Sequence, residues 1–227
     1  MSRTFLKNSL QFAAIIAFVA LICSLSSSRP AHAAALPDPA EDMALVSNGG
    51  DQSIVLAGGC FWGVQAVFQH LKGVTQAVSG YAGGSAESAH YDVVSTGITG
   101  HAESVQVTYD PSRITLGTIL KVYFAVAHNP TELNHQGPDH GTQYRSAIFY
   151  STPEQKKLAE AYIAQLQKEK SFSSPIVTTL EPLKSFYSAE DYHQDYARLH
   201  PDNPYIAMND LPKVAHLEKE FPSLYLQ

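Results

Sequence analysis

The sequence has 227 residues, of which 44% are hydrophobic and 16% are charged, so it is long and apolar enough for one ordinary domain with a buried core. Its formal net charge is −6 and it contains no run of lysine or arginine, which argues against a nucleic acid as partner.

The first 33 residues have the pattern of a secretory signal peptide. Arg3 and Lys7 precede an apolar stretch over residues 10–25, and Ala31-His32-Ala33 follows after a serine-rich patch. This order of charged, apolar and small-residue regions is typical of a leader that is cleaved, here before Ala34. We therefore expect an exported protein, either periplasmic or secreted. The alternative is an uncleaved membrane anchor, although the apolar stretch is somewhat short for a spanning helix.

Residues 34–52 are predicted to form a flexible linker, and residues 53–227 to form one catalytic domain. The linker contains prolines and glycines with little periodic pattern, which is typical of a tether. Cleavage of the leader removes Cys23 and leaves Cys60 as the single cysteine of the mature chain. The mature chain therefore cannot form an internal disulfide, although it enters an oxidising compartment.

The hydrophobic pattern of the domain alternates between strands and helices. Strands are predicted at residues 53–57, 74–81, 102–109, 143–150 and 176–183, helices at 61–71, 116–127, 153–170 and 189–199, and loops at 85–100 and 129–142. The order β-α-β-β-α-β in the first part resembles a split βαβ unit. We therefore expect an α/β (α+β) two-layer fold with a ferredoxin-like plait, a mixed sheet, extra helices and an irregular C-terminal tail after Pro201.

Cys60 is the candidate reactive group. It lies in Gly58-Gly59-Cys60-Phe61-Trp62-Gly63, between the first predicted strand and the first predicted helix. The unpaired N–H groups and dipole of a helix N-terminus favour an anion, so this position is expected to lower the pKa of the thiol. The two glycines let the chain turn sharply and approach a substrate. The alternative is a small buried hydrophobic residue, but the flanking Gly-Gly and Phe-Trp pairs favour a reactive thiol.

Two other segments offer groups that suit a reactive thiol. Glu103 lies in Gly100-His101-Ala102-Glu103 at the start of the third predicted strand. Burial there would raise the pKa of its carboxyl group and keep a proton available for general acid catalysis; the alternative is a solvated charge. The segment 136–146 brings Asp139, His140 and Tyr144 towards a strand entry. Its alternative interpretation is a loop held by local hydrogen bonds.

The histidines at positions 128, 135 and 140 raise two further hypotheses. A metal site is one, but their spacing is irregular and neither a second nearby cysteine nor an H-x-x-x-H helix supports it, so we predict no metal. A hydrolase with a cysteine nucleophile and a histidine base is the other. The Phe-Trp pair after Cys60 does not match the signature of such proteases.

Four motifs, taken in order, closely resemble the peptide methionine sulfoxide reductase A family. They are Gly59-Cys60-Phe61-Trp62-Gly63, Gly80-Tyr81-Ala82-Gly83-Gly84, Gly100-His101-Ala102-Glu103 and the segment 137–146, within a resemblance that covers about residues 54–193. The resemblance implies a mixed α/β fold around a ferredoxin-like plait. It also implies reduction of the S epimer of methionine sulfoxide, either free or in proteins.

The resemblance also implies the roles of the site residues. Cys60 matches the nucleophile of the family and Glu103 its proton donor. Phe61 and Trp62 match the pocket for the substrate methyl group, and Gly59 is assigned to substrate binding with them. A second set matches the groups that hold the sulfoxide oxygen and a bound water: Tyr91, Asp139 and Tyr144. Aromatic walls suit the apolar methyl side of a sulfoxide, while hydroxyl and carboxyl donors suit its oxygen.

Recycling is where this chain departs from many members of the family. Attack of the Cys60 thiolate on the sulfoxide leaves a sulfenic acid, which needs a second thiol to become a disulfide. Many relatives carry resolving cysteines in the C-terminal tail, whereas residues 201–227 contain none. We therefore expect no bound cofactor and an external reductant: a thioredoxin-like protein, a glutaredoxin-like protein or a small thiol. The expected partners are this reductant, oxidised proteins and free methionine sulfoxide, and the expected state is a monomer.

Two other function classes remain open from the residues. A thiol peroxidase or redox sensor would also use a reactive cysteine, but it needs no aromatic pocket for a methyl group. A non-catalytic module that binds oxidised methionine would use the pocket without turnover. Asn129, where family members commonly carry aspartate, is expected to have little effect.

Overall fold

A computed structural model of the protein describes residues 36–47 and 49–227. The predicted signal peptide, with Cys23, lies outside these residues, as do the first two residues of the predicted linker. Within the described ranges, none of the helices combines the length and apolar character needed to cross a membrane.

The described residues contain a large sheet and a small hairpin. The strands are β1 Gln52–Ala57, β2 Val74–Ala82, β3 Ala102–Tyr109, β4 His135–Gln136, β5 Asp139–His140, β6 Ala147–Tyr150, β7 Thr179–Pro182 and β8 Phe186–Ser188. The large sheet has the order β7-β6-β1-β3-β2-β8, and β4 pairs with β5. Its strands are antiparallel except for the parallel pair β6 and β7, so the sheet is mixed, as expected.

The helices connect and cover the strands of this sheet. They are α1 Phe61–Gln69, α2 Tyr91–Val94, α3 Leu116–Val122, α4 Pro153–Lys168, α5 Tyr196–Leu199 and α6 Leu211–Glu220. Wider π-helical turns over Tyr123–Ala127 and Ile206–Asp210 follow α3 and precede α6. The hydroxyls of Thr115 and Thr152 cap α3 and α4 by accepting backbone hydrogen bonds.

The order of strands confirms the ferredoxin-like plait. β1 and β2 are both antiparallel to β3, which lies between them, so β1-α1-β2 is a split βαβ unit. β3 and β6 are both antiparallel to β1, so β3-α3-β6 is a second one. The α/β fold class predicted from the sequence is therefore confirmed.

Several predicted elements and boundaries are wrong. The fourth predicted strand begins at Ala147 rather than at residue 143, because Thr142–Tyr144 forms a 3₁₀ turn. The helix predicted over 189–199 is broken by Asp195, whose φ of +57° is left-handed and ends any regular helix there. The predicted loop over 85–100 contains α2, and the short strand β8 was not predicted.

The tail after Pro201 is not irregular, because it contains α6. Leu211, Val214 and Leu217 recur at helical spacing and Pro212 lies in the first turn, a pattern that predicts this helix. The chain end then returns to α1, where the N–H of Leu226 donates to the carbonyl of His70 over 2.8 Å. The tail therefore packs against the C-terminal end of α1, the helix that follows Cys60.

The alternation of β1 explains why its sequence is a continuous apolar run. Ile54 and Leu56 belong to the main core, together with side chains of α1, α3, α4 and α6. Val55 and Ala57 point to the other face and join a smaller cluster with Phe149. Successive side chains of a strand alternate between faces, so a strand covered on both sides is apolar throughout.

Residues 36–47 differ from the flexible linker expected of them. The Gln165 side chain donates to the carbonyl of Asp38 over 3.0 Å and accepts from the N–H of Ala40 over 2.8 Å. Asp42 accepts a hydrogen bond of 2.8 Å from the N–H of Gly117 in the first turn of α3. This strap, as we call residues 36–47, is therefore held against α3 and α4.

Candidate active site

Cys60 lies at the N-terminus of α1, after a turn that requires glycine. Gly59 has a φ of +90°, and a Cβ there would be 2.7 Å from the Cβ of Gln136. A Cβ at Gly58 would be 2.7 Å from the Cγ of His128. The cysteine itself is the N-cap residue of α1 and is 8% exposed. The strand–turn–helix arrangement predicted around Cys60 is therefore confirmed.

The pKa of the Cys60 thiol, however, is raised well above its ordinary value, and the predicted lowering is wrong for the free protein. Burial is the largest cause, and the carboxyl groups of Glu103 and Asp210 add to it. A hydrogen bond from the N–H of Trp62 lowers the pKa by less than these groups raise it. Loss of hydration penalises a thiolate more than the helix N-terminus stabilises it here. In the free protein Cys60 is therefore a neutral thiol at neutral pH.

Glu103 is the buried carboxyl group that the sequence predicts near the thiol. It lies on β3, is 2% exposed, and its Oε2 accepts a hydrogen bond of 3.1 Å from the N–H of Phe61. Burial raises the pKa of Glu103 to about 8, and the charges of Asp139 and Asp210 contribute to the rise. The carboxyl group is therefore mostly protonated at neutral pH, and the alternative of a solvated charge is excluded.

One cleft of about 200 Å³ brings the candidate residues together. It is lined by Cys60, Phe61, Trp62, Tyr91, Glu103, Asp139, Tyr144 and Tyr205. The candidates from the sequence line this cleft except Gly59, which shapes the turn behind Cys60, and His140, which lies in the β4–β5 hairpin. The cleft therefore combines a sulfur nucleophile, a protonated carboxyl group and aromatic walls.

The two predicted tyrosines are hydrogen-bond donors at neutral pH. Burial, followed by the neighbouring Glu103, raises the pKa of Tyr91 to about 12. The same two causes raise the pKa of Tyr144. Both phenols therefore keep their protons and can donate to an oxygen held in the cleft.

Tyr205 is the cleft residue that the sequence did not predict. Its hydroxyl donates a hydrogen bond to Oδ2 of Asp139, and its ring meets the Trp62 ring edge to face at 6.1 Å. The side chain comes from the tail that was expected to be irregular, immediately before the π-helical turn. In the sequence, the only local indication of Tyr205 was its position shortly before the apolar pattern of α6.

An ion pair with a buried carboxyl group lies behind the first turn of α1. Asp210 is fully buried, and its Oδ1 is 3.3 Å from Nζ of Lys213. A Cβ at Gly63 would overlap Oδ1 of Asp210 and would be 2.7 Å from that Nζ. The last glycine of the cysteine motif is therefore required by close packing against this pair.

The three histidines considered as metal ligands in the sequence make contacts within the fold instead of grouping around a common site. His128 is buried, with Nε2 at 2.6 Å from the Ser146 hydroxyl, and burial lowers its pKa to about 3. His135 and His140 stack on each other in the β4–β5 hairpin, with ring centroids 5.4 Å apart. Across residues 36–47 and 49–227, no three histidine, cysteine or acidic side chains are grouped as a metal site.

Comparison with known proteins gives a consistent result. The family profile described as "Peptide methionine sulfoxide reductase" matches residues 52–224, a range that includes every residue lining the cleft. The chain is 61% identical over 176 residues to "Peptide methionine sulfoxide reductase MsrA 2" of Mesorhizobium japonicum, covering 78% of this chain and 90% of that protein. It is 46% identical over 188 residues to the protein of the same name from Synechocystis sp., covering 82% and 88% of the two chains. Among solved structures it is similar to reduced Mxr1 from Saccharomyces cerevisiae, with a TM-score of 0.61 and 38% identity over 67% of this chain and 87% of Mxr1.

Proposed function

The chain belongs to the peptide methionine sulfoxide reductase family, and on that premise we propose how its own residues reduce methionine sulfoxide. The activity is that of a peptide-methionine (S)-S-oxide reductase, which acts on the S epimer of methionine sulfoxide, free or in proteins. The observation that carries the proposed roles is the shared cleft, where the thiol of Cys60 and a protonated Glu103 lie together.

We propose that the cleft holds the two sides of the sulfoxide group differently. Phe61 and Trp62 contact the methyl group, because their rings form the apolar wall of the cleft. Tyr91 and Tyr144 donate hydrogen bonds to the oxygen, and Asp139 completes this polar side. Such a division of apolar and polar walls orients the sulfur atom towards Cys60.

The proposed chemical step begins when substrate enters the cleft and Cys60 gives up its thiol proton, which replaces on Glu103 the proton that Glu103 transfers to the sulfoxide oxygen. The sulfur of Cys60 attacks the sulfoxide sulfur and forms an S–S bond, while Glu103 gives its proton to the oxygen. The resulting hydroxyl group then moves to the Cys60 sulfur, as the S–S bond and the bond between the oxygen and the substrate sulfur both break. The substrate sulfur is reduced by two electrons and leaves as methionine, and the cysteine sulfur is oxidised by two electrons to a sulfenic acid. The thiol and the sulfoxide, whose oxygen is transferred, are thereby converted into a sulfenic acid and a thioether without another reactant.

The sulfenic acid must be reduced from outside the chain. Cys60 is the only cysteine among the described residues, and the other cysteine of the sequence lies in the predicted leader. A disulfide requires a second thiolate. We propose that this thiolate comes from a thioredoxin-like protein, a glutaredoxin-like protein or a small thiol.

We also propose that the enzyme works outside the cytoplasm as a monomer. The support for export is the order of charged, apolar and small residues over positions 1–33. On this proposal residues 34–52 follow the cleavage site and the catalytic domain covers residues 53–227. N-terminal sequencing of the secreted protein tests the cleavage site, and a mature chain that begins before Ala34 would contradict it.

A single-turnover experiment tests the chemistry. Reduced mature protein mixed with excess methionine sulfoxide should release about one methionine per chain and then stop until a thiol is added. A reagent specific for sulfenic acids should label Cys60, and Cys60→Ser should give neither product nor label. Normal methionine release without labelling of Cys60 would contradict the sulfenic acid and point to an unrecognised resolving group.

A further inference from the structure

His193 does not line the cleft, but its ring packs against three aromatic residues that do. Its ring centroid lies 4.3 Å from that of Tyr91, 5.1 Å from that of Phe61 and 5.7 Å from that of Trp62. The residue is 2% exposed. A single buried imidazole ring therefore supports the aromatic side of the site.

The hydrogen bond between His193 and Trp62 has only one possible direction. Nε1 of Trp62 lies 3.2 Å from Nδ1 of His193, and an indole N–H can only donate. Nδ1 is therefore the unprotonated nitrogen, and the neutral ring carries its proton on Nε2. That Nε2 is buried and has no hydrogen-bond partner within the described part of the chain. The polar contact that orients the ring is thus the one to Trp62.

The backbone around His193 is held firmly, which makes Nδ1 a fixed acceptor. The side-chain amide of Gln194 accepts a hydrogen bond of 3.0 Å from the N–H of Ser79 and donates one of 2.9 Å to the carbonyl of Ser79. Glu190 accepts a hydrogen bond of 3.0 Å from the N–H of Tyr91. The segment 190–194 is therefore attached both to β2 and to the turn that carries Tyr91.

We propose that His193 is a positioning residue of the reductase, which fixes the Trp62 indole in the orientation that forms the methyl-binding wall. The indole also stacks on Tyr196 with an interplanar angle of 13°, which fixes the plane of the ring but leaves rotation within that plane free. The hydrogen bond to His193 removes this rotation. The inference rests on the proposed contact of Trp62 with substrate.

The kinetic test uses two substitutions that separate the ring from the acceptor. His193→Phe keeps an aromatic ring but removes the acceptor, so we expect kcat/KM to fall by about tenfold, mainly through a higher KM. His193→Asn offers an amide oxygen near the position of Nδ1 and should recover part of this loss. An equal loss in both variants would show that an acceptor at this position does not restore activity, and would overturn the proposal.

A double-mutant cycle with Trp62→Phe distinguishes this inference from the proposed function itself. If Trp62→Phe alone leaves kcat/KM unchanged, the proposed methyl-binding wall fails. If Trp62→Phe is harmful and His193→Phe causes the same further loss in that background as in the wild type, only the positioning role fails. The proposal expects the effect of His193→Phe to disappear once the indole is absent.

A spectroscopic test follows from the fact that Trp62 is the only tryptophan in the chain. Protonation of Nδ1 breaks the hydrogen bond, and a protonated imidazole quenches a neighbouring indole, so the fluorescence should fall as the pH is lowered. Burial lowers the pKa of His193 from 6.5, and Glu190 opposes this by less, so the midpoint should lie below pH 6.5. Tyr91 and Tyr192, the other titratable groups against the ring, stay neutral in this range.

The substitutions at His193 provide the control for the fluorescence titration. His193→Phe and His193→Asn should both abolish the transition while keeping a single tryptophan. The readout does not depend on activity, so it applies even to a variant that turns over slowly. A transition of the same size and midpoint in both variants would assign the quenching to another group and overturn the proposal.

Discussion

Burial of the Glu103 carboxyl group beside the nucleophile has two consequences: a proton that can be given to the substrate, and a folding stability that depends on pH. Replacing Glu103 by glutamine tests both. Glutamine has a similar shape, and its side-chain oxygen can still accept the hydrogen bond from the N–H of Phe61. It has no acidic proton to give to the sulfoxide oxygen. We therefore expect the single-turnover rate of methionine release to fall by about two to four orders of magnitude, as when a general acid is lost.

The same substitution should change how folding stability depends on pH. The pKa of Glu103 is raised from 4.5 to about 8, so the folded protein binds this proton more tightly than the unfolded chain does. The stability contributed by that proton is fully present below pH 4.5 and is lost as the pH rises through 8, by about 1.4 kcal/mol for each pH unit in between. Between about pH 5 and pH 8 the wild type should therefore lose about 3 kcal/mol more stability than Glu103→Gln.

Urea denaturation of both proteins at the two pH values measures this difference, and rapid-quench assays measure the burst of methionine. The kcat/KM of the wild type should also decline above about pH 8, where free Glu103 loses its proton. If both proteins change stability equally between the two pH values, Glu103 does not carry a raised pKa. An undiminished burst in the variant would identify another proton donor, such as Tyr91 or Tyr144.

Three further substitutions test the surroundings of the site. Gly63→Ala should destabilise the fold by about 1–3 kcal/mol, measured by urea denaturation, because the new Cβ overlaps the buried Asp210. Tyr205→Phe removes the hydroxyl that donates to Asp139 and should lower kcat/KM by about five- to tenfold in steady-state assays. Asp42→Ala removes the acceptor at the N-terminus of α3 and should cost about 1 kcal/mol of stability, with kcat/KM unchanged.

Each of these substitutions has a matched control. Gly50→Ala introduces a Cβ with nothing within 4 Å, so equal stabilities of Gly63→Ala and Gly50→Ala would contradict the packing argument. Tyr225→Phe removes a hydroxyl from the far end of α1, where the ring stacks on His70, and should leave kcat/KM unchanged. Asp42→Asn retains an acceptor oxygen and should lose less stability than Asp42→Ala.

Much of the plait could be predicted from the sequence because its signals are local. The two-residue alternation of β3 and the helical spacing of Val64, Val67 and Phe68 depend only on neighbours along the chain. Gly59, directly before Cys60, likewise reports a local need for left-handed backbone. The four motifs were specific enough to indicate the family and most of the lining of the cleft, even though they are far apart in sequence.

The tertiary structure alone decided the electrostatics of the site and the residues that support it. The helix N-terminus is a local feature that lowers the pKa of Cys60, but burial beneath other elements outweighs it and raises that pKa. Tyr205 reaches Asp139 across 66 residues, and His193 reaches Trp62 across 131. Such contacts depend on where the chain folds back, which no pattern within a few residues encodes. The sequence by itself therefore determined the strands of the plait, the turn before Cys60 and the reactive groups, whereas their ionisation and orientation required the packed fold.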